Sequence, residues 1–342
     1  MRVTRESLVR IAKETALERS HNDRTITAAY LTGSVAAEGD PMLGGTTDID
    51  LVFVHVTLEA PPREIIKLTP DFHLDVRHRT KSEFKSPREL RADPVLGYEM
   101  YDPMLLWQSE KFFEFVQAGL RAGFEFHAPG LVLTRCRKLL AEARSSWLQL
   151  SAIQAKEAQP GDVAKFLQAL SCAANAIAEL NGGPLAERRF LLMFPGRAEA
   201  AERPEFTEVL FSLLGADRID ASVLTSWLPA WGADFLSAAQ AAGVDSDIHA
   251  ARFNYYEKGI RSLLEGDAPL TAAWPLIRTW ALACSALEPG QSGSWQNASR
   301  ELGLIGDGLL GRVDQLDKYL DGIEIRLDEV AEANGVETSG RL

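Results

Sequence analysis

At 342 residues the chain is longer than one ordinary hydrophobic core organises, so two domains are expected. Hydrophobic residues make up 46% and charged residues 25%, the balance of a globular chain rather than a disordered or membrane-embedded one. A net charge of −12 argues against a surface that grips nucleic acid by its phosphates, and it is compatible with neutral or cationic small partners.

Residues 4–19 read as an opening helix, with Leu8, Ile11, Ala12 and Ala16 at helical spacing and Thr4 as its cap. The alternation of charge and apolar residues there is unlike a signal peptide, and the most apolar later stretch, Trp274 to Leu287, is interrupted by Arg278. A cytoplasmic protein with no membrane partner is expected. Strand-prone segments follow at 25–31, 48–56, 64–68 and 72–78, the last two flanking a Thr69-Pro70-Asp71 turn and reading as a hairpin. Pro87 to Leu90 starts a short helix, and residues 101–124 read as a short buried segment running into a helix.

From Pro129 the pattern turns helical. Leu131, Leu133, Cys136, Leu139 and Leu140 share one face, as do Phe166, Leu167, Leu170, Ala174 and Ile177. Further helices are predicted near 184–194, 205–214, 221–242, 247–264, 269–287 and 308–333, with breaks at 159–162, 181–184 and 288–294 and a frayed tail at 334–342. Aromatic residues within them, Tyr255, Tyr256, Trp274 and Trp280, read as core. The expected architecture is an α+β domain over 1–128, a small mixed sheet with flanking helices, followed by an all-α domain over 129–342. Cys136, Cys172 and Cys284 are scattered without a CxxC and read as reduced core thiols.

The chemistry concentrates in residues 31–53. A strand ending at Gly33-Ser34 is followed by a glycine-rich loop and a strand carrying Asp48 and Asp50 among Ile49, Leu51, Val52 and Phe53. Alternate residues of a strand share a face, so the two carboxylates project together and repel unless a cation lies between them. Mg²⁺ takes one or two carboxylates plus phosphate oxygens and water. Gly33 and Ser34 can offer backbone N–H groups and a hydroxyl to a phosphate, because glycine allows close approach. Asp75, which shares a face with His73, would join the acids if its strand lay alongside. A cradle and an acid pair separated by one loop describe a site for a nucleoside triphosphate.

Leu31-Thr32-Gly33-Ser34, thirteen residues, then Asp48-Ile49-Asp50-Leu51-Val52-Phe53, with Asp75 as a third acid, resembles the signature of the DNA polymerase beta-like nucleotidyltransferase superfamily. The helical second half resembles that of small-molecule members such as aminoglycoside adenylyltransferases. The resemblance implies transfer of a nucleoside monophosphate from an NTP to a hydroxyl of a small molecule, aminoglycoside-like for instance, with release of pyrophosphate. It implies Asp48, Asp50 and Asp75 as catalytic and metal-binding residues, two Mg²⁺ ions, and Gly33 and Ser34 on the nucleotide. Two alternatives stay open: a non-catalytic, antitoxin-like nucleotide- or partner-binding module, and an enzyme that modifies a protein.

Blander readings compete. An edge-strand acid pair does not account for the Gly-Ser strand end or for Asp75. An EF-hand built on Asp48, Asp50 and Glu59 fails because Phe53 stands where glycine is required. Thr46 and Thr47 either stabilise the loop or touch a phosphate, and Asp71 belongs to the turn. The basic residues between Arg77 and Arg91, together with Lys165, Arg188 and Arg189, either steer a triphosphate or are ordinary surface charges. Arg121 and His127 do not form a convincing pair, and no histidine spacing suggests zinc.

Overall fold

The computed structural model describes residues 3–57, 62–84, 86–124, 128–152, 158–288 and 290–337. The chain divides into two compact units, Met1–Ala128 and Pro129–Leu342.

The first unit opens with α1 (Arg5–Asn22), where Thr4 and Ser7 exchange the expected capping hydrogen bonds. Strand β1 (Ile26–Thr32) leads into α2 (Gly33–Ala36), a single helical turn, in keeping with a strand that ends at Gly33-Ser34 in a turn or short helix. Then come β2 (Thr47–His55), β3 (Arg63–Lys67) and β4 (Phe72–Thr80). The unit closes with α3 (Pro87–Arg91), α4 (Leu96–Tyr101), β5 (Met104–Gln108) and α5 (Phe112–Arg121). The five strands form one mixed sheet in the order β3-β4-β2-β1-β5. Only the β2–β4 pair is parallel, and β3 and β4 form the predicted hairpin.

The sheet is covered on both faces. Ile49, Leu51 and Phe53 of β2 join Ala29, Leu31, Leu74 and Val76 against Leu8, Ala12 and Ala16 of α1. Val52 and Val54 face the other way, with Ala28 and Tyr30, into a cluster built from Leu90, Leu96, Met100, Phe113 and Leu120 of α3, α4 and α5. Strand β5 occupies the stretch whose sequence predicts a short buried segment before a helix. Its residues are half-buried, and it pairs with β1 at the sheet edge.

The second unit contains α6 (Pro129–Ser151), α7 (Pro160–Ala178), α8 (Phe190–Ala200), α9 (Glu205–Leu214) and α10 (Ala221–Ala238). It continues with α11 (Phe253–Leu264), α12 (Ala273–Ser285), α13 (Gly293–Leu302) and α14 (Asp307–Ala333). No strand occurs there among the described residues. Helix α13 begins inside the glycine- and serine-rich stretch read as a break, because Trp295, Ala298 and Leu302 give it one buried face. Tyr255, Tyr256, Trp274 and Trp280 are buried core, as are the three free cysteines. No described helix is long and apolar enough to cross a membrane.

Candidate active site

Strand pairing brings the acids together. Asp50 of β2 is the register partner of Asp75 on β4, and Asp48 is the partner of His73, so all four lie on one face by strand alternation. Asp48 and Asp75 are buried and Asp50 is half-buried. One carboxylate oxygen from each of Asp48, Asp50 and Asp75 lies within 4.8 Å of the other two. Oxygens about 2.1 Å from one octahedral ion stand about 3 Å apart when adjacent and about 4 Å when opposite. Oxygens no more than 4.8 Å apart are compatible with ligands of a single divalent ion. All-oxygen, all-anionic donors suit a hard cation such as Mg²⁺ or Mn²⁺. His73 is buried beside Asp48.

Gly33 stands against this cluster. Its φ is +70°, a conformation L side chains rarely adopt, and a Cβ there would fall 1.9 Å from Asp50 Oδ2. Only glycine lets the backbone approach the carboxylate so closely. Arg5 of α1 anchors the turn by donating to the carbonyls of Val35, at 2.9 Å, and Ala36, at 2.7 Å. Ser34 Oγ is 3.1 Å from Thr47 Oγ1, which fastens the turn to the start of β2. Thr46 donates to the carbonyl of Leu43, at 2.9 Å. Both threonines thus fasten the loop.

Two arginines attend the acids. Arg63 of β3 grips Asp75 bidentately, Nε to Oδ1 at 2.8 Å and Nη2 to Oδ2 at 2.6 Å, which fixes the plane of the carboxylate. Arg77 lies two residues beyond Asp75 on the same face, its Nη2 3.9 Å from Asp50 Oδ1. Its Nη1 donates to Glu99 Oε2 of α4 at 2.7 Å. Glu99 also accepts from Tyr30, at 2.5 Å, and twice from Arg79, at 3.1 Å. Burial alone would raise the Glu99 carboxyl, but the charges of Arg77 and Arg79 outweigh it and hold the group below the ordinary carboxylate range. Burial and the adjacent Glu99 charge push the Tyr30 phenol far above its ordinary value.

Arg63, Glu99 and Tyr30 were not singled out from the sequence. Arg63 becomes legible once the hairpin register is known, since it faces Arg77 across β3–β4. Glu99 depends on how α4 packs over the sheet, which no local pattern reveals. Of the other candidates, Arg121 donates to the carbonyl of Tyr101 and to Asp102, while His127 and Glu59 lie outside the described residues. Arg188 is buried within the helical unit over the ring of Tyr255, 3.5 Å from its centroid.

The sequence matches no protein-family profile, and no curated protein is similar to it. Among solved structures the chain is similar to the crystal structure of a nucleotidyltransferase-like protein from Exiguobacterium sibiricum 255-15. Identity is 9%, the TM-score is 0.29, and the match covers 92% of this chain and 90% of that one. So distant a likeness carries no argument, and the chemistry rests on the residues themselves.

Proposed function

We propose that the chain is a metal-dependent nucleotidyltransferase that moves a nucleoside monophosphate from an NTP to a hydroxyl of a small molecule. The observation that carries this reading is the convergence of Asp48, Asp50 and Asp75 beside a glycine whose backbone packs against Asp50. A purely structural acid pair accounts for neither the third acid nor the positive φ.

In the reaction the acceptor oxygen bonds to the α-phosphorus, the bond from that phosphorus to the bridging oxygen breaks, and pyrophosphate leaves. The hydroxyl proton passes to a carboxylate or to solvent. The three aspartates would hold divalent metal, which when bound neutralises phosphate charge and lowers the pKa of an attacking hydroxyl. The Gly33 backbone and the Ser34 hydroxyl would face the phosphates, with Thr47 holding Ser34 in place. Arg63 would keep the carboxylate of Asp75 in a fixed orientation. Such preorganisation is the main contribution a protein makes to phosphoryl and nucleotidyl transfer. A net charge of −12 is compatible with a cationic acceptor.

The test is incubation with each of the four α-labelled NTPs and Mg²⁺, with and without a small-molecule extract. Label appearing on a small molecule with stoichiometric pyrophosphate supports the reading. Label on protein would redirect it to a modifying enzyme. Nucleotide binding without transfer under every condition would leave a non-catalytic module.

A further inference from the structure

Three arginines point into this face of the sheet, and they are not employed alike. Arg79 uses Nε and Nη2 on Glu99 and Nη1 on Glu83, so its whole guanidinium is engaged. Arg63 spends its fork on Asp75. Arg77 makes a single hydrogen bond, from Nη1 to Glu99. Its Nη2 is 3.9 Å from Asp50, close enough for attraction but too far for a hydrogen bond. Among the described residues, Nε and Nη2 of Arg77 have no hydrogen-bond acceptor. The side chain is 29% exposed.

This is a guanidinium fixed at one end and open at the other, and the open end lies next to the metal-binding carboxylates. The group that fixes it is built for the purpose. Glu99 has a side chain only 4% exposed, and Arg79 and Tyr30 hold it from other directions, so it cannot swing away with Arg77. A planar fork of donors matches an oxyanion of phosphate type.

We infer that Arg77 is an anion-binding residue of this site, held by Glu99 as its positioning residue, and that it contacts the phosphate chain of the nucleotide. The inference rests on the nucleotidyltransferase reading and adds to it a residue that binds substrate and a buried carboxylate that aims it. The same chemistry would also serve an anionic group on the acceptor, and titration without acceptor separates the two.

The experiment is calorimetric titration of the full chain, first with Mn²⁺ alone and then with each NTP in the presence of Mn²⁺, acceptor absent. Arg77→Ala removes a positive charge beside Asp50, so Mn²⁺ alone should bind about threefold or more tightly, while nucleotide should bind at least about tenfold more weakly. Opposite signs are the signature, because general damage to the site would weaken both. Arg77→Lys keeps the charge and much of the packing, so it should leave Mn²⁺ affinity unchanged and weaken nucleotide less than alanine does. Glu99→Gln, which removes the charge that holds the guanidinium in place, should weaken nucleotide several-fold. Thermal melts of each variant check that it is folded, and the lysine variant carries the test if the alanine variant is not.

Unchanged nucleotide affinity in both Arg77 variants would overturn the inference alone. If Arg77 acts instead on the acceptor, nucleotide affinity stays unchanged while the acceptor KM rises, and the phosphate assignment falls. A wild-type chain that binds neither Mn²⁺ nor nucleotide would overturn the nucleotidyltransferase reading and this inference together.

Discussion

Strands β2 and β4 carry buried polar groups on both faces, and the two sets are organised differently. On the α1 face a linear chain of hydrogen bonds runs through two histidines. Thr25 donates to Asp23 at 2.7 Å, and His55 Nδ1 lies 2.9 Å from the Thr25 oxygen. His55 Nε2 is 2.8 Å from His78 Nδ1, and His78 Nε2 is 2.8 Å from Glu64, which Arg19 also holds. The chain ends on carboxylates, Asp23 at one end and Glu64 at the other. On the opposite face three aspartates converge on one point, with Arg63 on Asp75, Arg77 near Asp50, and Arg77 and Arg79 together on Glu99. The chain on the α1 face is hydrogen-bonded from end to end and reads as part of the folded core. The converging acids of the opposite face are placed so that they could hold a metal ion between them.

That contrast can be broken by substitution. The largest effect belongs to Asp48→Asn and Asp50→Asn. Each should lower transfer by about 10³-fold or more, since losing a metal ligand removes several kcal/mol of charge stabilisation. Without metal, each variant should melt no lower than wild type, because a repelling charge has gone. Single-turnover assays and melts with and without Mg²⁺ check both halves. Gly33→Ala ranks next. It places a methyl group within 1.9 Å of Asp50 Oδ2 and strains a backbone at φ +70°, so steady-state kinetics should show activity down about a hundredfold. Arg63→Ala frees the plane of Asp75 and should cost about 10–100-fold in activity or metal affinity, the range for a group supporting a ligand.

The smallest effect lies on the other face. Burial lowers the His55 pKa, with a further push from His78, so the folded state disfavours its charged form. Its contribution to stability is present above the unfolded imidazole value of about 6.5 and is lost as pH falls from there through the lower folded value. His55→Gln should flatten that acid-side slope by at most about 1.4 kcal/mol per pH unit, read from urea melts between pH 5 and 8. Transfer activity at neutral pH should change little, which sharpens the distinction between the faces.

Much of this site was legible in the sequence because strands have a period of two. Asp48 and Asp50 had to share a face, and so did His73, Asp75 and Arg77, whatever the topology. What alternation could not reveal was that β4 lies alongside β2 in parallel, setting Asp75 opposite Asp50 rather than a residue away. Gly33 was legible as a backbone that must come close, although its contact proved to be with Asp50 itself. Glu99 and Tyr30 were out of reach because their meeting joins residues 69 positions apart through the packing of a six-residue helix. Strand β5 escaped for a related reason: Met104-Leu105-Leu106-Trp107 is uniformly apolar, and a short run without alternation is ambiguous between strand and buried helix.

The most direct measurement is a crystal of the full chain soaked with Mn²⁺ and a non-hydrolysable NTP, with anomalous scattering recorded for the manganese. The account predicts an anomalous peak within about 2.3 Å of oxygens from Asp48, Asp50 and Asp75, with the phosphate chain between that peak and Gly33-Ser34. Manganese bound elsewhere, or a nucleotide lodged away from these strands, would contradict it.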